Sequence, residues 1–316
     1  MFLGKILRIL TMARFGAGDN YGTNASDIFL GNDSGKNQYD HVDDVFYGLD
    51  GDDYIHGFAG DDWLAGFAGD DVITGGLGND TITGGEVTTD NRFDENGNDT
   101  LAGGHGNDLI YGDGGNDYLF GEQDNDTLYG DAGNDSLNGG EGDDNLYGGA
   151  DNDYIFAGKG NDFLDGGSGD DVLNGTISFN DVEIDIFTGG TGNDLFVVGN
   201  SHGNSYRSAG DADYAHITDL QAGDQIQVDS GKYELDSSPI AGISGTGIYH
   251  NSDLIAVVEG IEADELIFSS QGSITTIHLE SPAFDLGYAD SLVNGGIEAT
   301  AFNDAIANTT YAIDFE

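Results

Sequence analysis

The sequence predicts an all-β chain built from stacked repeats and followed by an irregular β-rich region. Eight nine-residue units follow one another without an insertion between Gly103 and Asn174, and the first three read GGHGNDLIY, GDGGNDYLF and GEQDNDTLY. Glycine supplies 54 of the 316 residues and proline only 2, which indicates repeated turns rather than an average globular composition. A nine-residue unit cannot bury a core alone and must stack on copies of itself.

The repeat register extends beyond these eight units. Seventeen units fit between Gly22 and Val197, and those at 31–47, 84–102 and 175–188 carry insertions of 8, 10 and 5 residues. We therefore predict four regions: an N-terminal cap or misassigned start at 1–21, the repeats at 22–197, a β-rich cap at 198–280, and a C-terminal tail at 281–316.

Two positions of the unit keep the same chemical type throughout. Position six is aspartate and position eight is a large apolar residue in all 17 units. One inward side chain between two outward ones predicts a three-residue strand at positions seven to nine, because side chains alternate faces along a strand. Glycine at positions one, two and four argues against a helix, where each costs about 1 kcal/mol. Larger rings at position eight of the terminal units are expected to cover the ends of the core: Phe29, Phe46, Phe187 and Phe196.

Glycine at position four predicts a left-handed backbone in the turn. Two units lack this glycine and have Asp124 and Asp151 instead. Aspartate is among the few residues that tolerate a positive φ, so these exceptions support a turn at this position.

After Val197 the periodicity ends and short strands are predicted at 214–220, 225–228, 254–258 and 265–268. The sequences AGD at 222–224 and GTG at 245–247 indicate turns between them. Residues 284–316 are acidic with scattered apolar positions, and no structure is predicted for them.

The N-terminal stretch MFLGKILRILTMARFG is apolar but carries Lys5, Arg8 and Arg14. It is too short to span a membrane, and no small-residue cleavage site follows it. We predict either a short amphipathic helix that caps the open end of the repeats, or translation from Met12.

The charge of the chain limits the classes of molecule that can be its binding partners. Eight Lys and Arg against 59 Asp and Glu give a formal net charge of -51, which excludes nucleic acid and anionic membrane surfaces as natural partners and favours cations. The absence of cysteine excludes disulfides and cysteine-based zinc sites.

The aspartates at position six predict calcium binding. If two units make one turn of a coil, residues 18 apart stack about 4.8 Å from each other, with Asp108 over Asp126 and Asp117 over Asp135. Such neighbours repel by about 1 kcal/mol per pair at the dielectric constant of water and by more where they are buried. Carboxylate and carbonyl oxygens in glycine-rich turns suit Ca²⁺, which takes six to eight oxygen ligands. Binding energy then becomes folding energy, and the chain is expected to be disordered without the ion.

The predicted Ca²⁺ ligands are the position-six aspartates of the units that have a GGxG-like turn. They are Asp53, Asp62, Asp71, Asp80, Asp99, Asp108, Asp117, Asp126, Asp135, Asp144, Asp153, Asp162, Asp171 and Asp194. Asp27, Asp44 and Asp185 lie in units that lack this turn, so sites there are doubtful, and sites beside Asp124 and Asp151 are expected to be altered.

The motif GGxGxDxUx, in which U is a large apolar residue, recurs in register from Gly48 to Val197 and resembles the RTX, or hemolysin-type calcium-binding, family. The segment DYAHITDLQAGDQIQV resembles the region that follows the repeats in such proteins, most of all in cyanobacterial members. The resemblance implies a right-handed parallel β-roll that binds several Ca²⁺ ions between its turns. It also implies type I secretion, directed by an uncleaved C-terminal signal, and folding in extracellular calcium.

We therefore predict a secreted, non-enzymatic calcium-binding protein with a structural, adhesive or surface-matrix role. The alternative is a carbohydrate-binding or accessory module of a secreted enzyme system. Outward tyrosines at 18-residue spacing, Tyr111, Tyr129 and Tyr147, either stabilise one sheet or bind sugar rings, and Tyr118, Phe120, Tyr154 and Phe156 lie on the other sheet. GNSHG at 199–203 matches a nucleophile-elbow motif, but glycine is so abundant that Ser201 is expected to have no catalytic role.

Overall fold

The computed structural model describes residues 8–9, 20–21, 27–30, 43–85, 97–176, 183–200, 203–204, 214–229, 232–271 and 274–279. All structural statements below refer to these residues. The chain divides into two units, Met1–Leu279 and Glu280–Glu316. The second unit, and with it the predicted secretion signal, lies outside the described residues.

The described residues form strands and a single 3-10 turn. The strands are β1 Arg8–Ile9, β2 Asn20–Tyr21, β3 Asp27–Leu30, β4 Val45–Asp50, β5 Tyr54–Ala59, β6 Trp63–Ala68, β7 Val72–Leu77, β8 Thr81–Thr83, β9 Thr100–His105, β10 Leu109–Tyr111, β11 Tyr118–Gln123, β12 Thr127–Ala132, β13 Ser136–Glu141, β14 Asn145–Ala150, β15 Tyr154–Lys159, β16 Phe163–Ser168, β17 Val172–Thr176, β18 Ile184–Thr191, β19 Leu195–Val197, β20 Gly199–Asn200, β21 Gly203–Asn204, β22 Tyr214–Ile217, β23 Gln225–Asp229, β24 Tyr233–Ser237, β25 Gly245–His250, β26 Asp253–Glu259, β27 Leu266–Gln271 and β28 Ile274–Leu279. The 3-10 turn is Ala263–Glu265. No helix in this part of the chain is long and apolar enough to cross a membrane.

Successive strands of the repeats alternate between two sheets. In the described chain, one 13-stranded sheet runs β1-β3-β5-β7-β9-β11-β13-β15-β17-β19-β23-β28-β27, and the other runs β2-β4-β6-β8-β10-β12-β14-β16-β18-β22-β26-β25-β24. From β1 to β19 all neighbours in each sheet are parallel, and Leu119 pairs with Leu137, 18 residues later. Two units therefore make one turn of the coil, and the predicted all-β parallel roll is confirmed.

The core of the roll is made by position eight. All 17 of these side chains are at most 3% exposed, and they face one another between the two sheets. The terminal rings pair, with ring centroids 5.6 Å apart for Phe29 and Phe46 and 6.3 Å apart for Phe187 and Phe196. The expectation that rings cover the ends of the core was wrong at Phe187 and Phe196, because the core continues past them to Ile217 and Ile226.

The strands are longer than the predicted three residues. Most span six, from position seven to position three of the next unit, as in β11 and β12. Position four is left-handed as predicted, and Asp124 and Asp151 take φ values of 76° and 72° there. Position two is left-handed as well, even where it is Phe58 or Phe67, at 77° and 79°. The turn geometry is therefore set by the stacked turns and imposed on side chains that disfavour it.

The region after the repeats continues both sheets and ends them with antiparallel strands. Strand β22 lies parallel between β18 and β26, and β23 pairs parallel with β19 and antiparallel with β28. The four predicted strands are present within one to three residues, but β24, β25 and β28 were not predicted. The prediction of a turn at GTG was wrong, because Gly245 begins β25 and pairs with Glu259.

The described residues of the N-terminal stretch form strands. Arg8 and Ile9 pair with Asp27 and Ile28, so the predicted amphipathic helix is wrong at this point. The open edge of a sheet offers unpaired backbone N–H and C=O groups, and a strand satisfies them where a helix does not. The rest of 1–19 lies outside the described residues.

Candidate metal sites between the turns

The aspartates of position six form two columns, one along each flank of the roll. The first column contains Asp27, Asp53, Asp71, Asp99, Asp117, Asp135, Asp153, Asp171 and Asp194; the second contains Asp44, Asp62, Asp80, Asp108, Asp126, Asp144, Asp162 and Asp185. All except Asp44 are at most 3% exposed. Burying so many carboxylates is costly unless each is hydrogen-bonded and its charge is balanced.

From Asp53 in the first column and Asp62 in the second onward, one oxygen of each carboxylate is held by the backbone of the preceding turn. The backbone N–H of Asp108 donates to Oδ1 of Asp126 at 2.7 Å, and that of Asp117 donates to Oδ1 of Asp135 at 2.8 Å. The same bond recurs along both columns at 2.6–3.0 Å. The predicted stacking of Asp108 over Asp126 and of Asp117 over Asp135 is therefore present.

The other oxygen has no hydrogen-bond donor in most aspartates of the two columns. Among the described residues, Oδ2 is buried without a partner in thirteen aspartates: Asp53, Asp62, Asp71, Asp80, Asp108, Asp117, Asp126, Asp135, Asp144, Asp153, Asp162, Asp171 and Asp194. A buried polar oxygen without a partner costs about 1–3 kcal/mol, and more when it is charged. A regular row of such atoms calls for a cation.

Twelve of the thirteen partnerless oxygens face a space kept open by the glycine at position one of their own unit, and the exception is Asp162. A Cβ atom on Gly112 would lie 2.6 Å from Oδ2 of Asp117 and 2.8 Å from the carbonyl oxygen of Gly130 in the next turn. We call this space, bounded by the position-one glycine, its own aspartate and the next turn's carbonyl, the cradle. It brings together carboxylate and carbonyl oxygens from two turns, which are the ligands that Ca²⁺ takes at 2.3–2.6 Å.

The donor set also limits which ion fits. Within the residues that the structure describes, no three carboxylate or imidazole side chains converge on one point. Backbone carbonyls must therefore supply much of the coordination shell. Ca²⁺ accepts such irregular oxygen shells, whereas Mg²⁺ requires a near-ideal octahedron and keeps its waters.

Burial raises the pKa values of the column aspartates. The pKa of Asp144 rises to about 6 and that of Asp126 to about 8, mainly because burial disfavours the charged form, although the backbone hydrogen bond opposes the shift. For Asp162 the pKa rises to about 9, because the charge of Asp185 adds to the effect of burial. Without a cation, the folded roll near neutral pH must therefore either protonate these carboxylates or bear the cost of burying their charge.

A second ladder at position five was not predicted. The backbone N–H of Asn116 donates to Oδ1 of Asn98 at 2.8 Å, and that of Asn134 donates to Oδ1 of Asn116 at 2.8 Å. These bonds run in the opposite direction to those of position six, from each turn to the one before it. The signal was present in the sequence, since position five is Asn or Asp in every unit except those with Ser26 and Ile184.

Asp224 also extends the first column and was not predicted. Its Oδ1 accepts the backbone N–H of Asp194 at 3.0 Å, and its Oδ2 accepts the N–H of Gln221 at 2.6 Å. Both oxygens are thus satisfied by backbone donors. The apolar Ile226 two residues later repeats the spacing of position six and position eight, which is the signal in the sequence.

The irregular units keep their places in the columns. The N–H of Asp27 donates to Asp53 at 2.6 Å and that of Asp44 donates to Asp62 at 2.7 Å, while Asp185 accepts from Asp162 at 3.0 Å. Alignment with the columns is therefore kept without the GGxG turn.

The predicted tyrosine ladder is present on the outer face of the second sheet. The rings of Tyr111 and Tyr129 stack at 5.0 Å and 7°, and those of Tyr129 and Tyr147 stack at 4.8 Å and 8°. Because the rings are stacked, each one covers a face of its neighbour. A sugar ring would need that face to be exposed. On the first sheet Ser136 separates Tyr118 from Tyr154 in the register. The geometry favours the stabilising role over a sugar platform.

The nucleophile-elbow motif lacks its structural context. The residues that flank it, Gly199–Asn200 and Gly203–Asn204, pair as an antiparallel hairpin, whereas an elbow joins a strand to a helix. Ser201 itself lies outside the described residues.

Sequence comparison agrees with the geometry of the columns. The profile of the RTX calcium-binding nonapeptide repeat (4 copies) matches residues 43–66, 57–86, 94–128, 120–155, 147–177 and 183–201. No curated protein matches the chain. These repeats bind Ca²⁺, and the buried aspartate columns with their partnerless oxygens fit that ion. Through the repeats between residues 43 and 201, the chain belongs to the RTX, or hemolysin-type, family of calcium-binding proteins.

Proposed function

We propose that the chain is a secreted, non-enzymatic protein whose two aspartate columns bind Ca²⁺ in the cradles and whose roll folds only when those ions are present. The observation that carries the proposal is the row of thirteen buried Oδ2 atoms without a hydrogen-bond donor. In each cradle, Oδ2 and the carbonyl oxygen of the next turn would hold the ion, while Oδ1 keeps its backbone hydrogen bond.

The ligands proposed are the predicted position-six aspartates. Asp99 fits as well, since it is 1% exposed, accepts the N–H of Asp71 at 2.7 Å and faces the cradle of Gly84. When Ca²⁺ is bound, it supplies positive charge between the buried carboxylates of two turns. The chain's own part is to fix the geometry: the backbone donors orient the carboxylates, and glycine leaves room for the ion.

The cellular setting follows from this dependence on calcium. RTX repeat proteins are typically secreted. A chain of net charge -51 repels itself when compact and stays extended where calcium is scarce, which suits export before folding. Sites that work outside the cell bind Ca²⁺ with Kd values of about 10⁻⁴–10⁻³ M, and we expect this range. We further propose that the chain is exported by type I secretion and has a structural or adhesive role at the cell surface.

The test combines calorimetric titration of Ca²⁺ with small-angle scattering on three proteins. The wild-type chain should compact as it binds several ions in the millimolar range. Asp135→Asn removes the charge from one cradle and should bind at least one ion fewer. Asp143→Asn is the matched control, because it removes the same charge from the exposed position-five ladder, where its Oδ1 accepts the N–H of Asn161 at 2.8 Å.

The control should bind as many ions as the wild-type chain. Equal ion loss in both variants would show that net charge, and not the cradle, governs binding. Submicromolar affinity would contradict folding outside the cell, and a compact wild-type chain in excess chelator would contradict the coupling of folding to calcium.

A further inference from the structure

One unit of the roll departs from the rule at position one. Sixteen of the 17 units begin with glycine, and the exception is Ala157, which begins the unit of Asp162. Ala157 is fully buried, so its methyl group lies inside the protein.

Glycine at this position is what leaves the cradle open. A Cβ atom on Gly130 would lie 2.5 Å from Oδ2 of Asp135 and 2.6 Å from the carbonyl oxygen of Gly148. On Gly166 the corresponding distances are 2.5 Å to Asp171 and 2.7 Å to Gly189. An ion bound by both oxygens at 2.3–2.6 Å would lie within contact of a methyl carbon at this position, so the methyl group and the ion exclude each other.

The backbone at Ala157 follows the same path as at the glycines. Its carbonyl oxygen lies 2.5 Å from the Cβ position of Gly139, and the carbonyl oxygen of Gly139 lies 2.6 Å from that of Gly121 one turn earlier. Asp162 also keeps its place, because its Oδ1 accepts the N–H of Asp144 at 2.8 Å. A methyl group cannot lie 2.5 Å from a carboxylate oxygen, so at Ala157 the methyl group or the second oxygen of Asp162 must shift, and we infer that the methyl group takes up room in the cradle of its own unit.

The far wall of this cradle differs as well. The next unit of the second column is the one at 175–188, in which Thr176 and Glu183 stand at positions two and four. Asp162 and Asp185 are 23 residues apart instead of 18, although the N–H of Asp162 still donates to Asp185 at 3.0 Å. The hydrogen-bonded column therefore continues through a turn whose metal-binding loop is changed on both sides.

We propose that Ala157 keeps Ca²⁺ out of the cradle beside Asp162, so that the second column holds its last ion at Asp144. Asp162 then serves as a hydrogen-bond acceptor for Asp144 and is removed from the ligands proposed above, although its Oδ2 is buried without a donor like those of the other twelve aspartates. This inference rests on the proposed binding of Ca²⁺ in the cradles. It makes the two flanks of the roll unequal, since the first column has glycine at position one as far as Gly189.

The test counts bound ions by native mass spectrometry in saturating Ca²⁺ and locates them in crystals of the calcium-loaded protein. Ala157→Gly removes only a methyl group and should bind one ion more than the wild-type chain, with new density beside Asp162. Gly130→Ala, the reverse change in the first column, should bind one ion fewer and lose density beside Asp135. If Gly130→Ala does not fold, the Ala157→Gly count and the wild-type density decide the question alone.

Two results would overturn the inference while leaving the proposed function intact. One is calcium density beside Asp162 in the wild-type crystal, and the other is an unchanged ion count in Ala157→Gly when other cradles are filled. If no cradle contains calcium in either protein, the proposed function itself fails and this inference fails with it.

Discussion

The regular roll at 103–174 and the region after it at 214–279 share both sheets but are stabilised differently. In the roll each nine-residue unit contributes one core side chain and one buried aspartate, and the second oxygen of that aspartate has no donor in any of these eight units. In the later region β26 alone buries five consecutive residues, Leu254 to Val258. Its buried aspartate, Asp224, has backbone donors for both oxygens.

The difference shows what makes an aspartate depend on calcium. Asp194 and Asp224 occupy successive places in one column, and both are buried. The N–H of Gln221 reaches the second oxygen of Asp224, whereas Oδ2 of Asp194 has no such donor among the described residues. One backbone donor therefore separates a carboxylate that needs an ion from one that does not.

Removal of calcium should have the largest effect and should separate the two regions. In excess chelator we expect complete loss of hydrogen-exchange protection in β11 to β16, because the buried carboxylates repel one another without ions. The β25–β26 hairpin, which buries aliphatic side chains, should keep part of its protection. Hydrogen exchange followed by mass spectrometry with and without Ca²⁺ measures both regions in one sample. Equal protection in the two regions would show that they do not differ in their dependence on calcium.

Acid should partly replace calcium in the roll. Burial raises the pKa of Asp71 to about 8 and that of Asp171 to about 6, so the folded roll binds protons more tightly than the unfolded chain does. The ion-free roll is then most stable near pH 4 and loses stability as the pH rises through about 6 to 8. We expect β signal in circular dichroism to return in chelator as the pH falls from 8 to 5.

This measurement requires dilute protein, because the sequence pI is about 4.1 and neutral chains associate. A chain that stays disordered in chelator at pH 5 would show that charge repulsion is not what holds the roll open.

Substitution of Asp224, at the end of the first column, should lower the stability of the protein but leave ion binding unchanged. Asp224→Asn leaves the N–H of Gln221 without a charged acceptor and should cost about 1–3 kcal/mol in thermal unfolding. The number of bound ions should not change. Asp126→Asn is the counterpart within the roll and should lose an ion, so a loss of an ion in Asp224→Asn would mean that the two regions are not distinct.

Substitution in the tyrosine ladder should have an effect no larger than that of Asp224→Asn. Tyr129→Ala removes two ring contacts, each worth about 0.5–1.5 kcal/mol, and should lower the unfolding free energy of the calcium-loaded roll without changing its ions. Tyr118→Ala is the matched control, because Tyr118 is 46% exposed and lies beside Thr100 and Ser136. Equal losses in the two variants would show that the stack itself adds nothing.

Much of the roll could be predicted because its period determines both the stacking and the inward face. Aspartate at position six and the apolar residue at position eight were sufficient to place Asp108 over Asp126. The positive φ of Phe58 could not be predicted, because nothing in a phenylalanine indicates it and the stacked turns impose it. The turn predicted at Gly245 failed for a related reason: glycine signals a turn only where no neighbouring strand pairs with it.

Asp224 also has a consequence for the order in which the chain folds. An array of like units can begin to fold at any unit and then propagates through its neighbours, so a finished template at one end favours a start there. Asp224 offers one, since its carboxylate is complete before any ion arrives and accepts the N–H of Asp194. We therefore expect the roll to grow from its C-terminal side toward its N-terminus once calcium is met. A calcium jump followed by stopped-flow fluorescence should show slower folding for Asp224→Ala, and an unchanged rate would place the starting point elsewhere.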